Sequence, residues 1–308
     1  MASSHPLQIG HRTVRVSNLD KVFYPASGFT KGEVIDYYIR IAPVLLKQIK
    51  DRALTLKRYP DGVEGGFFYE KQCPSHAPEW IRTTPVKKSD GSTIRYCLLN
   101  DLPSLVWAVN LANLEFHPFL HRTRARTRPT MLMFDLDPGP PADIVDCARV
   151  ALRLRGLFAA LELECCVKTS GSKGMQLAVP LNTPVTYRRT KAFAHAVART
   201  MAARFPGQIV PEMKKSLREG KVLIDWSQND DAKTTVCAYS LRAREAPTVS
   251  TPLRWEEVEP VAESGDAGAI RFTAEQAIAR VEGLGDLWAP VASLKQALPR
   301  ITEISRRA

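Results

Sequence analysis

Apolar residues recur along this chain in two rhythms, one of helical period and one alternating. Val34, Tyr37, Tyr38, Ile41, Leu45 and Ile49 follow the helical rhythm. Thr30, with Glu33 three residues later, forms a capping-box start for that helix. The same period predicts helices over residues 142–161 and 183–207, and over 104–117, leading to His117. Strand-like runs are Val14 to Val16, residues 53–60 and 65–71 across the turn PDGVEG, 131–138, 164–170 and 175–181 across GSKG, and 221–226 paired with 234–240 across SQNDDAK. From Glu256 the chain reads as an acidic connector followed by a packing helix. In the middle of the chain the order is strand-helix-strand-strand-helix-strand, which predicts an α+β fold with a mixed sheet. One domain over 1–308 is expected, with an N-terminal α/β lobe (14–120), a catalytic lobe (121–255) and a helical tail (256–308).

The run MLMFDLDP ends in two acids one residue apart. In a strand, Asp135 and Asp137 project from the same face, about 7 Å apart at the Cα. Pro138 and Gly139 end the run, so the pair belongs at a sheet edge or mouth. Asp225 follows another run of strand formers, VLID. D-x-D also occurs on ordinary surfaces, but three acids on two strands are what a pair of Mg²⁺ or Mn²⁺ ions needs, and such ions most often handle phosphates.

Composition narrows the partners. The 308 residues carry a formal charge of +11, which suggests a polyanion. The charge is clustered: HRTRARTRP (121–129) holds four arginines, and MKKSLREGK (213–221), with Arg218, precedes the Asp225 strand. Each alone fits a solvated loop; two, flanking the two acidic strands, favour a phosphate backbone led toward a metal centre. No apolar stretch is long enough to cross a membrane, and MASSHPLQIGHR lacks a secretory core, so a cytoplasmic protein is expected. The six cysteines show no C-x-x-C pairing and read as reduced, mostly structural thiols.

Between two predicted strands, Ser170, Gly171, Ser172, Lys173 and Gly174 form a loop of small residues with one cation. It can offer hydroxyls, N–H groups and an ammonium to a triphosphate, although an ordinary hairpin turn has the same composition. It lacks Walker A spacing. Arg242 and Arg244, two apart in SLRAR, are expected on one side of a strand, where paired guanidiniums suit phosphate.

DLDP, TSGSKG, MKKSLREGKVLIDWSQN and KTTVCAYSLRAR, with NLDKVFYPASGFTKGEVIDYY, LKRYPDGV, GGFFYEKQ and NLEFH further forward, resemble the polymerase domain of the bacterial end-joining ligase D, in the archaeo-eukaryotic primase superfamily. The resemblance runs from about Val14 to Trp255. It implies a primase-like fold of mixed sheets flanked by helices, and a template-directed nucleotidyltransferase adding NTPs or dNTPs to DNA 3′ ends in gap filling and double-strand-break joining. By position, Asp135, Asp137 and Asp225 would hold two Mn²⁺ or Mg²⁺ ions. Ser170, Lys173, Arg242 and Arg244 would hold the triphosphate; Lys57 and His117 would lie near the nucleotide and its sugar. Phe67 and Phe68 would stack on bases, Arg218 would touch DNA, and Asn18, Lys21 and Lys31 would take a 5′-phosphate across a gap. A DNA ligase and Ku are the implied partners, in the bacterial nucleoid, and no ligase or phosphoesterase module is visible.

One position departs from the family. In the family's S-x-x-K-G-x-H loop a histidine touches the triphosphate; Gln176 stands at that nucleotide-binding position here, where it can donate one neutral hydrogen bond but cannot carry a proton or a charge. Weaker nucleotide binding or slower transfer is expected, without loss of activity. The arginine-rich stretch before DLDP looks short, which puts end bridging in question. Alternatives are a primase that starts chains de novo, a weakly catalytic module binding 5′-phosphorylated ends, and a nuclease. The last would leave the triphosphate-binding cations without a purpose.

Overall fold

The computed structural model describes residues 4–88 and 90–307; Met1, Ala2 and Ser3, at the head of the segment read as lacking a secretory core, lie outside it. In chain order the elements are β1 (Ser4–Ile9), β2 (Arg12–Ser17), β3 (Val22–Tyr24), β4 (Phe29–Thr30), α1 (Lys31–Ile49), β5 (Leu54–Arg58), β6 (Phe68–Glu70), β7 (Arg82–Lys87), β8 (Thr93–Leu98), α2 (Leu102–Asn110) and β9 (Asn113–Pro118). They continue with β10 (Met131–Pro138), α3 (Ile144–Ala160), β11 (Cys166–Thr169), β12 (Met175–Pro180), α4 (Tyr187–Arg204), β13 (Ile209–Val210), β14 (Val222–Asp225), β15 (Pro252–Leu253), α5 (Trp255–Ser264), α6 (Ala274–Leu284), α7 (Ala289–Ser293) and α8 (Ile301–Arg307). The fold is α+β, with one large mixed sheet and four small ones among the described residues. Among the described residues no helix is long and apolar enough to cross a membrane.

The chain packs as two units: 1–124, 234–249 and 272–286 in the first, and 125–233, 250–271 and 287–308 in the second. Differences from the expected lobes are at 234–249, which packs with the first unit although it was placed in the catalytic lobe, and in the tail, which divides between both.

In the first unit, α1 starts at the expected Thr30–Glu33 capping box and buries Val34, Tyr38, Ile41 and Leu45. The Tyr38 hydroxyl donates to the Leu114 carbonyl and accepts from the Leu241 N–H, so this helix is tied to β9 by a satisfied buried phenol. The helix expected over 104–117 stops at Asn110. Ala112 turns the chain at φ +64°, and 113–118 becomes β9 at the edge of the sheet β6-β5-β9. An apolar run suits either period; the left-handed turn decides. The 234–240 segment, expected to pair with β14, instead follows β9: Thr235 N–H donates to Pro118 O and Cys237 N–H to Phe116 O. Tyr239 at φ +67° ends this run, so Arg242 and Arg244 leave it in a loop and not on a strand face.

In the second unit the sheet order is β13-β14-β10-β12-β11-β15. β10 is central and pairs antiparallel with β12 and β14. α3 packs on its apolar face, where Phe134 meets Phe158 at 5.3 Å between ring centroids. The region after Glu256, expected as a connector, lies in α5, whose first turn carries Glu256 and Glu257 as the helix dipole favours.

Candidate active site

Strand register assembles the acids. Asp135 lies opposite Asp225 on β14 and opposite Gln176 on β12, and Gln176 lies opposite Lys168 on β11. Residues directly opposite share a face, so Lys168, Gln176, Asp135 and Asp225 form one row across four strands, with Asp137 one pleat further along β10. Asp225 is aimed by its own turn: Oδ1 accepts from the Ser227 N–H (2.8 Å) and hydroxyl (2.6 Å), and Oδ2 from the Gln228 amide (3.0 Å).

Burial, helped by the Asp137 charge, pushes the Asp135 carboxyl up to about 7; the Gln176 hydrogen bond opposes this and Asp225 adds to it. The Lys168 charge also acts to lower it, but not enough to offset burial and its acidic neighbours, so Asp135 lacks a sufficient counter-charge. Oxygen donors on one sheet face, under mutual repulsion, fit a hard divalent cation in chemistry and charge. Among the described residues no three or more His, Cys, Asp or Glu side chains are already gathered so as to hold an ion.

The Ser170–Gly174 loop lies against this row. A Cβ at Gly174 would come 1.9 Å from the Leu136 carbonyl, so the loop reaches β10 between the two acids only because residue 174 lacks a side chain. Ser170 closes the loop: its Oγ accepts from the N–H groups of Ser172 and Gly174, both at 3.2 Å. Lys173 is exposed. Gln176 is 2% exposed and is turned to the protein: its Oε1 accepts from Lys168 Nζ at 2.6 Å. Lys168, absent from the sequence reading, is 1% exposed and donates also to Ser250 Oγ at 2.5 Å. Arg218 donates from its guanidinium to the Met213 carbonyl, and its backbone packs on Gly139, where a Cβ would lie 1.9 Å from Arg218 O.

The first unit holds a second cluster. Tyr69, Lys57 and Glu115 are cross-strand neighbours on β6, β5 and β9, and His117 is two residues beyond Glu115 on the same face. Glu115, 2% exposed, gathers His117 Nε2 (3.0 Å), Arg242 Nε (3.3 Å) and Lys57 Nζ (3.7 Å). Burial works against its charge, but His117, Arg242 and Lys57 prevail and hold its pKa below the ordinary carboxylate range. Burial lowers His117 and Lys57 in turn, with Glu115 opposing. Lys57 Nζ lies over the rings of Phe67 (4.1 Å), Tyr59 (5.2 Å) and Tyr69 (5.7 Å).

Phe67, directly before β6, and Phe68, its first residue, are expected to act alike but have different surroundings. Phe67 belongs to the Lys57 cluster, while Phe68 lies on the opposite face under the Arg58 guanidinium at 5.0 Å. Both are exposed, at 52% and 44%. Asn18 turns the chain at φ +55°, and the Lys31 N–H donates to Lys21 O, so the three residues expected to take a phosphate are neighbours. Lys21 Nζ donates to Asp61 and Pro60 O, and Lys31 Nζ to Ser17 O at 2.6 Å. Burial, with Lys21 and Arg58 nearby, lowers Lys31 to about 8.

Acids delivered by two adjacent strands beside a glycine-tight loop, in an α+β frame, suit the handling of phosphates through divalent cations. A solved structure described as the polymerase domain from Mycobacterium tuberculosis ligase D in complex with DNA superposes with a TM-score of 0.85 at 36% identity, covering 92% of this chain and 99% of that one. The family model for the LigD primase-polymerase domain matches residues 30–288, and the chain belongs to that family. The multifunctional non-homologous end joining protein LigD of Mycolicibacterium smegmatis is 40% identical over 283 residues, 91% of this chain and 36% of the relative. The bifunctional LigD of Bacillus subtilis is 32% identical over 250 residues, 81% of this chain and 40% of the relative. The chain therefore spans little more than a third of the length of these relatives.

Proposed function

We propose that this chain is a template-directed nucleotidyltransferase that extends DNA 3′ ends at gaps and broken ends, using NTPs or dNTPs. Membership of the LigD primase-polymerase family supports the reaction class. The observation that carries the reading is the row of acids: Asp225 opposite Asp135, Asp137 one pleat on, and Asp135 left without a sufficient counter-charge.

Asp135, Asp137 and Asp225 would hold two divalent ions, Mn²⁺ or Mg²⁺, whose chemistry when bound is to acidify a primer hydroxyl and neutralise a triphosphate. The chain's own residues do the rest. The Ser170–Gly174 loop and Lys173 bind phosphate. Lys57, His117, Arg242 and Arg244 bind nucleotide, and Phe67 and Phe68 offer stacking faces at the start of β6. Gln176 orients Asp135 by a hydrogen bond and accepts one from Lys168, bridging the two side chains, in place of touching the triphosphate itself. Asn18, Lys21 and Lys31 receive a 5′-phosphate, and Arg218 contacts the DNA backbone.

Extension of a primed, 5′-phosphorylated gap, assayed with each metal and both sugar types, tests this reading. Failure on unprimed template separates gap filling from de novo priming, and Asn18, Lys21 and Lys31 favour the former. An Asp135→Ala/Asp137→Ala protein that still extends primers would falsify the assignment. Association with Ku and a DNA ligase belongs to the same proposal, tested by pull-down from the end-joining proteins.

A further inference from the structure

Glu115 is a buried carboxylate with four polar neighbours in its own unit, and its role follows from how they divide between its oxygens. Oε1 lies 3.2 Å from the Ala243 N–H, 3.3 Å from Arg242 Nε and 3.7 Å from Lys57 Nζ. Oε2 lies 3.0 Å from His117 Nε2. A carboxylate only accepts, so His117 must donate from Nε2. In the neutral ring the lone pair then resides on Nδ1, and among the described residues no group donates to it.

We propose that Glu115 is a positioning residue: it fixes His117 as the Nε2–H tautomer, presenting Nδ1 as an acceptor to a hydroxyl or N–H donor of the bound nucleotide, and it holds Lys57 and Arg242 in place against their mutual repulsion. This rests on the polymerase reading. A phosphate oxygen, itself an acceptor, is a poor partner for Nδ1, so His117 reads the sugar or base and leaves the phosphates to the cations. The effect extends to the aromatic surface, because Lys57 is the ammonium over Phe67, Tyr59 and Tyr69. Removing the carboxylate would leave Lys57, Arg242 and the nearby Arg244 unopposed.

The variants Glu115→Gln and Glu115→Asp test it. Side-chain ¹⁵N spectroscopy, with His117→Asn to assign the signal among six histidines, should show Nε2–H His117 in the wild type and in Glu115→Asp. Glu115→Gln, whose amide can also donate, should show a mixture. In primer extension the KM for nucleotide should rise about tenfold or more in Glu115→Gln, with kcat within about threefold, because a ground-state binding arrangement is lost. Glu115→Asp should recover most of the KM. An unchanged tautomer with unchanged KM overturns the inference. So does an equal loss of stability and of kcat in both variants, which would make Glu115 a packing residue only. A wild-type protein that binds no nucleotide overturns the polymerase reading instead, and the tautomer signal still decides whether Glu115 sets His117.

Discussion

The two clusters use the same residue types in opposite proportion. Around Glu115, one carboxylate serves Lys57, Arg242 and His117, and the acid is held charged. In the β10–β14 row, Asp135, Asp137 and Asp225 have Lys168 as the cation acting on Asp135, and burial with repulsion pushes Asp135 toward neutrality. The first cluster satisfies its one carboxylate and leaves an excess of positive charge. The second is in deficit of positive charge, with Asp135 raised by burial and by its acidic neighbours. A polymerase reading needs both, one to attract anions and one to require metal.

The contrast breaks most visibly in the acids. Asp135→Ala/Asp137→Ala should lower primer extension by on the order of 10³-fold or more, about 4 kcal/mol of barrier, while DNA affinity by anisotropy stays near wild type. Gly174→Ala forces a Cβ to within 1.9 Å of a backbone carbonyl and should cost about 3 kcal/mol or more in urea unfolding. Wild-type stability in the Gly174→Ala protein would mean that the loop does not rest on β10.

Titration sharpens the deficit. Asp135 is raised to about 7 by burial and Asp137, above an unfolded value near 4. Its stabilising contribution is full below about pH 4 and is lost as pH rises toward about 7. In EDTA the wild type should therefore weaken across that window. Asp135→Asn should remove the trend and be more stable at pH 8 by about 2–4 kcal/mol; parallel curves would refute the missing counter-charge. Gln176→His removes the acceptor that Lys168 uses, and a loss of about 1–2 kcal/mol is expected, with no gain in nucleotide affinity. The smallest effect concerns Lys31, lowered to about 8 by burial, Lys21 and Arg58. Preference for a 5′-phosphate over a 5′-hydroxyl end should fall a few-fold as pH rises through about 8, and Lys31→Met should flatten that profile.

The chain's local rules foretold much of this. The α1 cap, the β10 acids and the 170–174 turn follow from neighbours in sequence, where period and turn chemistry operate. Glu115 was within reach too, since strand period places it on the face of His117. Lys168 was not, because its link to Asp135 runs through the register of β11 on β12. The 234–240 stretch has the composition of a strand, yet which edge it follows is decided by tertiary packing on β9. Phe67 and Phe68 are adjacent in sequence, yet one faces Lys57 and the other Arg58, which their identity as a pair does not reveal.

Asn229 explains how an acid can stand at the very end of β14. Its side chain accepts from the Met133 N–H at 2.9 Å and donates to the Met133 carbonyl at 2.7 Å, satisfying both backbone groups of a β10 residue that lies beyond the end of β14. One amide thus substitutes for a missing strand residue, and the backbone is released from the sheet directly after its last carboxylate. The acid thus keeps its place at the strand end through side-chain contacts of the turn that follows it, and not through further ladder pairing.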